Sequence, residues 1–168
     1  KPRTYWEELK AKGGFDGQLG IAMLKRLDAG EGIPSHVPYP VTSWQFGKDL
    51  AMVFLPGEVV VDYSVRLNRE LAWSRLWITA WANGMPGYIP SRRVLAEGGY
   101  EADFSQVYYE QPGRYKPEVE EVVVGAVHRV VGKEFAAPGD QKPAPFHRAP
   151  SGEDATLGKL FEWAGAPG

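Results

Sequence analysis

Apolar positions follow two different periods along the chain, and each change of period marks a boundary between predicted elements. Residues 1–29 carry apolar side chains at helical spacing. Residues 30–40 hold three prolines and two glycines, which predicts a loop. Residues 41–46 alternate between apolar and polar, and residues 50–55 are continuously apolar. Because residues 47–49 have turn-forming side chains, the two segments predict a β-hairpin.

The pattern beyond the hairpin predicts a strand–helix–strand unit. Apolar positions return to helical spacing across 59–71, and residues 75–82 are rich in aromatic and β-branched side chains. A helix between two strands of one sheet is the usual crossover between parallel neighbours. We therefore expect strands 41–46, 50–55 and 75–82 to share one sheet, with helices 59–71 and 117–134 packed on it.

Shorter elements complete the predicted layout. Ser91 is the expected N-cap of a short helix at 91–97, and residues 107–109 are predicted to form a short strand. Beyond Pro117, valines recur in one stripe that is typical of a long amphipathic helix. Strands that alternate with helices predict an α/β fold, a layered sheet with flanking helices.

A shift in composition divides the chain into two parts. Residues 1–135 form the predicted domain. Residues 136–168 are rich in glycine and proline, and within them only 157–164 has the pattern of a short helix. We expect this part to be an extended tail that contacts a partner surface through Phe161 and Trp163.

Composition excludes several classes of function. The chain has no cysteine, which excludes a thiol nucleophile and a cysteine-ligated zinc site. Its formal charge of −2 gives no polycationic surface, so we expect no nucleic-acid partner. No stretch approaches the ~20 apolar residues of a transmembrane helix. The common nucleophile and phosphate-binding motifs are absent from the sequence, and the three histidines are scattered.

Two residues at predicted strand ends are candidate functional residues. Glu58 follows the strand 50–55 directly, at the start of the predicted helix, and Tyr88 closes the loop that follows the strand 75–82. Ligands of α/β proteins bind beyond strand ends, and the crossover brings both residues to one edge of the sheet. The alternatives are structural: a carboxylate at a helix start for Glu58, and a hydrogen-bonded tyrosine for Tyr88.

Three segments in order carry a family resemblance: FLPGEVVVDY, LWITAWANGMPGYIPS and GGYEADFSQVYY. Over residues 40–131, and more weakly over 1–39, the chain resembles the C-terminal part of the catalytic domain of the neutral/alkaline non-lysosomal ceramidases. The likeness is closest to the short bacterial homologues. One departure is Gly84, where the family often has an aspartate after the asparagine.

The resemblance implies a zinc centre. It makes Glu58 and Tyr88 metal ligands, and it makes Tyr100 a catalytic residue that donates a hydrogen bond to a reacting oxygen or a substrate hydroxyl. The family's other two zinc ligands are histidines from earlier in the domain, which this chain lacks. We therefore expect an upstream segment or a companion chain to supply them, and we expect any signal peptide to precede Lys1.

The resemblance thus predicts part of a zinc-dependent amidohydrolase that cleaves a linear N-acyl amide, a ceramide-like lipid, by metal-activated water. It also implies a periplasmic or extracellular location. The aromatic residues Trp44, Trp77 and Trp81 either line a slot for an acyl chain or belong to the core. A competing hypothesis treats the chain as a non-catalytic subunit or interaction module that keeps the fold without a complete metal site.

Overall fold

Two small sheets form the centre of the structure, a computed structural model that describes residues 1–137. The strands are β1 (Thr42–Phe46), β2 (Leu50–Phe54), β3 (Glu58–Val59), β4 (Leu76–Thr79) and β5 (Tyr88–Ile89). The larger sheet has the order β1-β2-β4, with β1 antiparallel and β4 parallel to β2. Strands β3 and β5 form a second, parallel pair. The predicted hairpin and the predicted parallel crossover are both confirmed.

Helices and short helical turns surround these strands. The helices are α1 (Arg3–Lys12), α2 (Gly14–Asp28), α3 (Val61–Glu70), α4 (Arg92–Glu97) and α5 (Val119–Val130). A π-helical turn covers Tyr100–Phe104, and 3-10 turns cover Trp73–Arg75, Ser105–Tyr109 and Lys133–Phe135. The predicted cap of α4 is confirmed, because the Ser91 hydroxyl accepts a hydrogen bond of 3.2 Å from the Val94 amide.

One face of the larger sheet carries the main core. Ala51 and Val53 on β2 are fully buried, and they belong to one apolar cluster with Leu67 of α3 and Val127 of α5. This confirms that α3 and α5 pack on the sheet. A second cluster joins α1 and α2 around Trp6 and Met23. The fold is therefore mixed α/β, as predicted.

Within residues 1–137, the other face of the same sheet is largely exposed. Trp44, Met52 and Trp77 lie side by side across β1, β2 and β4, and the exposed fractions of Trp44 and Trp77 are 61% and 59%. Phe46 and Phe54 extend the row on either side. We call these five residues the open sheet face. Assigning Trp44, Trp77 and Trp81 to the core is therefore wrong, since Trp81 is also exposed.

Two local expectations are also wrong. Residues 107–109 belong to a 3-10 turn, not to a strand, because local hydrogen bonds occupy the carbonyls of Gln106 and Val107 and the Val107 side chain packs on the α1–α2 cluster. Helix α3 begins at Val61, so Glu58 is not a residue of a helix start. Glu58 lies in β3 because its amide donates a 3.0 Å hydrogen bond to the Gly87 carbonyl.

The predicted tail, residues 136–168, lies almost wholly outside the described residues. Phe161 and Trp163 are among the residues that are not described. Its first two residues are hydrogen-bonded to the domain: Ala136 bridges to Leu71, and the Ala137 amide donates to the Glu70 carbonyl over 3.2 Å. Among residues 1–137, no helix is long and apolar enough to cross a bilayer.

Candidate functional site

The pairing of β3 with β5 brings Glu58 and Tyr88 together. The two residues are direct partners in a parallel register, although 29 residues separate them in the chain. The loops before the two strands are also tied to each other, because the Gly57 amide donates to the Gly84 carbonyl over 3.0 Å. The proximity predicted from the crossover is therefore present in the structure.

A glycine makes this close approach possible. Gly57 has a φ angle of +73°, which side-chain-bearing residues rarely adopt. A Cβ atom at this position would also collide with the carbonyl oxygen of Gly87. The glycine of the P-G-E motif is therefore required by the crossing of two backbone segments directly beside Glu58.

Two tyrosine hydroxyls fix the backbone on either side of the pair. The Tyr39 hydroxyl donates a 2.9 Å hydrogen bond to the Pro56 carbonyl, two residues before Glu58. The Tyr63 hydroxyl donates a 3.1 Å hydrogen bond to the Pro90 carbonyl, two residues after Tyr88. Burial raises the pKa of both phenols, so they remain neutral donors. Sequence reasoning missed both anchors, since their partners are backbone atoms far along the chain.

The Glu58 carboxylate disfavours ionisation of the Tyr88 hydroxyl. Hydrogen bonding to Glu58, followed by partial desolvation and the negative charge of Glu58, raises the pKa of Tyr88 to about 12. Tyr88 is therefore a neutral phenol at physiological pH. The pair presents one carboxylate and one phenol oxygen at adjacent positions.

The pair lies in a polar depression of about 440 Å³ between β3, β5 and α4. Asp62, Arg93, Glu97 and Glu101 contribute charged side chains to its lining. Arg93 holds Asp62 at 2.8 Å, and its hydrogen bond lowers the pKa of that carboxyl. The depression is therefore polar. The Arg93 guanidinium in its lining already forms ion pairs with Asp62 and Glu97.

Tyr100 stands beside the pair at the start of the π-helical turn. Its ring meets the Tyr88 ring edge to face, with centroids 5.3 Å apart, and 48% of its surface is exposed. The buried side chain of Gln106 links β5 to the π-helical turn. Its amide nitrogen donates hydrogen bonds to the carbonyls of Tyr88 and Glu101 at 3.3 and 3.1 Å. The site therefore contains the three residues Glu58, Tyr88 and Tyr100 that the sequence singled out.

The oxygen atoms of Glu58 and Tyr88 are two donors suited to zinc. Carboxylate and phenol oxygens are hard donors of the type that accompany histidine at zinc. Within residues 1–137, no group of three or more histidine, cysteine, aspartate or glutamate side chains converges as a metal cage would. His36 bonds Ser35 in the loop, and His128 bonds Glu70 at 2.7 Å across α3 and α5, so neither joins Glu58. His147 lies outside the described residues.

Comparisons of the chain with protein families, with curated proteins and with solved structures found no match. The resemblance to the ceramidases is therefore untested by them and stays a prediction.

Proposed function

We propose that the chain is part of a zinc-dependent amidohydrolase of ceramidase type, which cleaves linear N-acyl amides. The observation that supports it is the direct pairing of Glu58 and Tyr88 beside a strand-end depression, in the order and spacing of the family motifs. Strand ends of α/β folds are the usual place for such a site.

Glu58 and Tyr88 are the residues that would hold zinc. Zinc supplies a water activated toward hydroxide near neutral pH and polarises an amide carbonyl. Glu58 contributes the negative charge of the site. Tyr88, neutral and with a pKa raised to about 12, contributes a weak oxygen donor whose proton is held by Glu58.

The reaction consumes one water for each amide bond. The water oxygen bonds to the carbonyl carbon, the C–N bond breaks, and the nitrogen takes up a proton, which leaves a carboxylic acid and an amine. The half-exposed Tyr100 hydroxyl donates a hydrogen bond to the reacting oxygen or to a substrate hydroxyl. Its ring contact with Tyr88 sets its distance from the pair.

We infer that an upstream segment or a companion chain supplies two further histidine ligands, since neither His36 nor His128 joins Glu58 in the described residues. The open sheet face supports this part of the proposal. Trp44 and Trp77 are more than half exposed, whereas Ala51 and Val53 on the reverse side of the sheet are fully buried. Contiguous exposed aromatic surface of this kind is typical of an interface.

The same face supports a second candidate from a different class. A chain that keeps the fold, exposes this face and has no described cage of metal-ligating side chains could act as a non-catalytic subunit or interaction module. It would bind its partner through the open sheet face and hydrolyse nothing. The two candidates differ in whether Glu58 is needed for chemistry or only for the local fold.

Amide hydrolysis by the chain together with its associated polypeptide separates the two candidates. We expect release of fatty acid from an N-acyl amide, loss of activity with a chelator, recovery with zinc, and a fall of at least ~100-fold in Glu58→Gln. Glu97→Gln is the matched control, since this substitution removes one negative charge from the lining of the same depression, as Glu58→Gln does. Hydrolysis that resists the chelator would contradict the zinc mechanism. A complex that forms normally but shows no hydrolysis would favour the interaction module.

A further inference from the structure

Two glycines stand directly before Tyr100 in the chain. Gly98 and Gly99 have φ angles of +75° and +100°, in the left-handed region that favours glycine. A Cβ atom on Gly99 would meet nothing within 4 Å, so the backbone angle, and not a lack of space, requires a glycine there. Because glycine has more backbone freedom than any other residue, the direction of Tyr100 depends on a separate constraint.

Asp103 supplies such a constraint. Its Oδ2 atom accepts a 3.0 Å hydrogen bond from the Gly99 amide, and its own amide donates a 2.9 Å hydrogen bond to the Gly99 carbonyl. Both polar backbone groups of the residue before Tyr100 are therefore bonded to one residue of the π-helical turn. Ala102 in the same turn is fully buried, so the turn is anchored on one side and presents the half-exposed Tyr100 on the other.

The Asp103 carboxylate is held in its turn by Arg114. The Arg114 Nε atom lies 2.8 Å from Asp103 Oδ1, and Arg114 Nη2 donates a hydrogen bond to the Leu95 carbonyl in α4. Each oxygen of Asp103 thus has its own partner, and hydrogen bonds to a charged group are among the stronger ones in proteins. Arg114 connects the π-helical turn to helix α4, which lines the depression beside Glu58.

The contact between Tyr100 and Tyr88 depends on this placement. The two rings are inclined by 77°, with centroids 5.3 Å apart. An edge-to-face contact made by a half-exposed ring contributes little by itself, so it does not fix Tyr100 alone. A hydroxyl that donates to a reacting oxygen has to be placed accurately, because a displacement of about 1 Å can cost ~100-fold in rate.

We propose that Asp103, held by Arg114, is the positioning residue of Tyr100. It fixes the turn that presents the Tyr100 hydroxyl to the reacting oxygen or to a substrate hydroxyl. Asp103 itself does not line the depression, so it acts through Tyr100 and not on the substrate. This proposal rests on the proposed function, which makes Tyr100 catalytic, and adds the residues that place it.

The ring contact tests the placement without zinc or substrate. Nuclear Overhauser effects between the rings of Tyr100 and Tyr88 are measured by NMR in the full chain, with the signals assigned from Tyr100→Phe and Tyr88→Phe. We expect Asp103→Ala to lose most of this signal. Asp103→Asn keeps an oxygen that can accept from the Gly99 amide, so it should retain the contact.

Asp28→Ala is the matched control. Asp28 also bonds an arginine across two elements, since its carboxylate lies 2.7 Å from Arg3 between α2 and α1. Its loss should leave the ring contact unchanged. Arg114→Gln removes only the guanidinium and serves where Asp103→Ala does not fold, and it should weaken the same contact.

Amide hydrolysis by the chain with its associated polypeptide shows whether Asp103 acts through the Tyr100 hydroxyl. We expect Asp103→Ala to lower kcat at least ~10-fold with little change in KM. In a Tyr100→Phe background the same substitution should lower kcat no further, because the hydroxyl that it places is already absent. A merely structural role of Asp103 would lower kcat by the same factor in both backgrounds.

The two readouts separate this proposal from the amidase. An unchanged ring contact in Asp103→Ala, or in Arg114→Gln where the first variant does not fold, would overturn the positioning role while hydrolysis by the unmodified assembly upheld the amidase. Equal losses of kcat in the two backgrounds would overturn it as well. Loss of the ring contact with no hydrolysis by the unmodified assembly would uphold the placement of Tyr100 by Asp103 while the amidase proposal failed.

Discussion

The pairing of Glu58 with Tyr88 across β3 and β5 is the main structural support for the proposed function. The crossover spacing predicted that the two residues would be neighbours, and they are direct partners in β3 and β5. The pattern could not predict this two-residue pairing, because strands so short have no periodicity. It also placed Glu58 in a helix, since Val59 and Val60 continue the helical spacing in the sequence although their backbone is extended.

Tyr88 should titrate later than an ordinary tyrosine. Donation to Glu58 raises its pKa to about 12 from the ordinary ~10. The contribution of this bond to stability is therefore complete below about pH 10 and is lost as the pH rises through about 12. NMR of tyrosine labelled with ¹³C at Cζ should show the Tyr88 signal, assigned with Tyr88→Phe, still un-ionised at pH 11.

Glu58→Gln is the check on the cause of that shift. A neutral amide accepts more weakly and carries no charge, so the pKa of Tyr88 should fall toward ~10. The control Glu97→Gln should leave it in place. A Tyr88 that titrates near 10 in the unmodified chain would show that the hydrogen bond is not formed in solution.

The helical hairpin of α1 and α2 depends on small residues at the helix crossing. A Cβ on Gly20 would lie 2.7 Å from the Trp6 carbonyl oxygen and 2.9 Å from the Lys10 Cα atom. The two backbones therefore pass closer than any other residue would allow. The apolar spacing in the sequence predicts helical structure here. The close packing of the two helices depends on the contact of Gly20 with the backbone of Trp6 and Lys10, which that spacing does not predict.

Gly20→Ala should destabilise the protein, although alanine is the better helix former. We expect the free energy of unfolding to fall by about 1–3 kcal/mol, because both obstructing atoms are backbone. Gly125→Ala in α5 is the matched control, since its Cβ would meet only the flexible Arg129 side chain at 3.5 Å. That change should raise stability by about 0.5–1 kcal/mol. Urea denaturation measures both, and a stabilising Gly20→Ala would contradict the close packing.

At the scale of the whole molecule, the larger sheet buries one face and exposes the other within residues 1–137. Ala51 and Val53 are fully buried beneath α3 and α5, whereas Trp44 and Trp77 face outward. Alternation at 41–46 and the apolar run at 50–55 correctly predicted the strands of the hairpin. It could not predict which face lacks a covering layer, because an aromatic side chain on a strand has the same pattern whether it packs in a core or at an interface.

Trp44→Thr with Trp77→Thr should reduce binding of the dye ANS to the chain without lowering its melting temperature. Threonine suits an exposed strand position, and no core contact is lost. The substitutions should also weaken association with the polypeptide that supplies the missing ligands. Fluorescence titration and thermal denaturation measure the first two effects, and a large fall in melting temperature would show that these tryptophans belong to a core after all.

Zinc binding to the chain tests the central claim most directly. Equilibrium dialysis against buffered zinc compares the unmodified chain, together with its associated polypeptide, with the same assemblies of Glu58→Gln, Tyr88→Phe and Glu97→Gln. We predict one saturable site per chain, weakened at least ~10-fold in Glu58→Gln, less in Tyr88→Phe, and unchanged in Glu97→Gln. The order follows from the charge of Glu58 and the neutral phenol of Tyr88. Equal zinc binding by all four proteins, or none by the unmodified chain even with its associated polypeptide, would contradict the metal site.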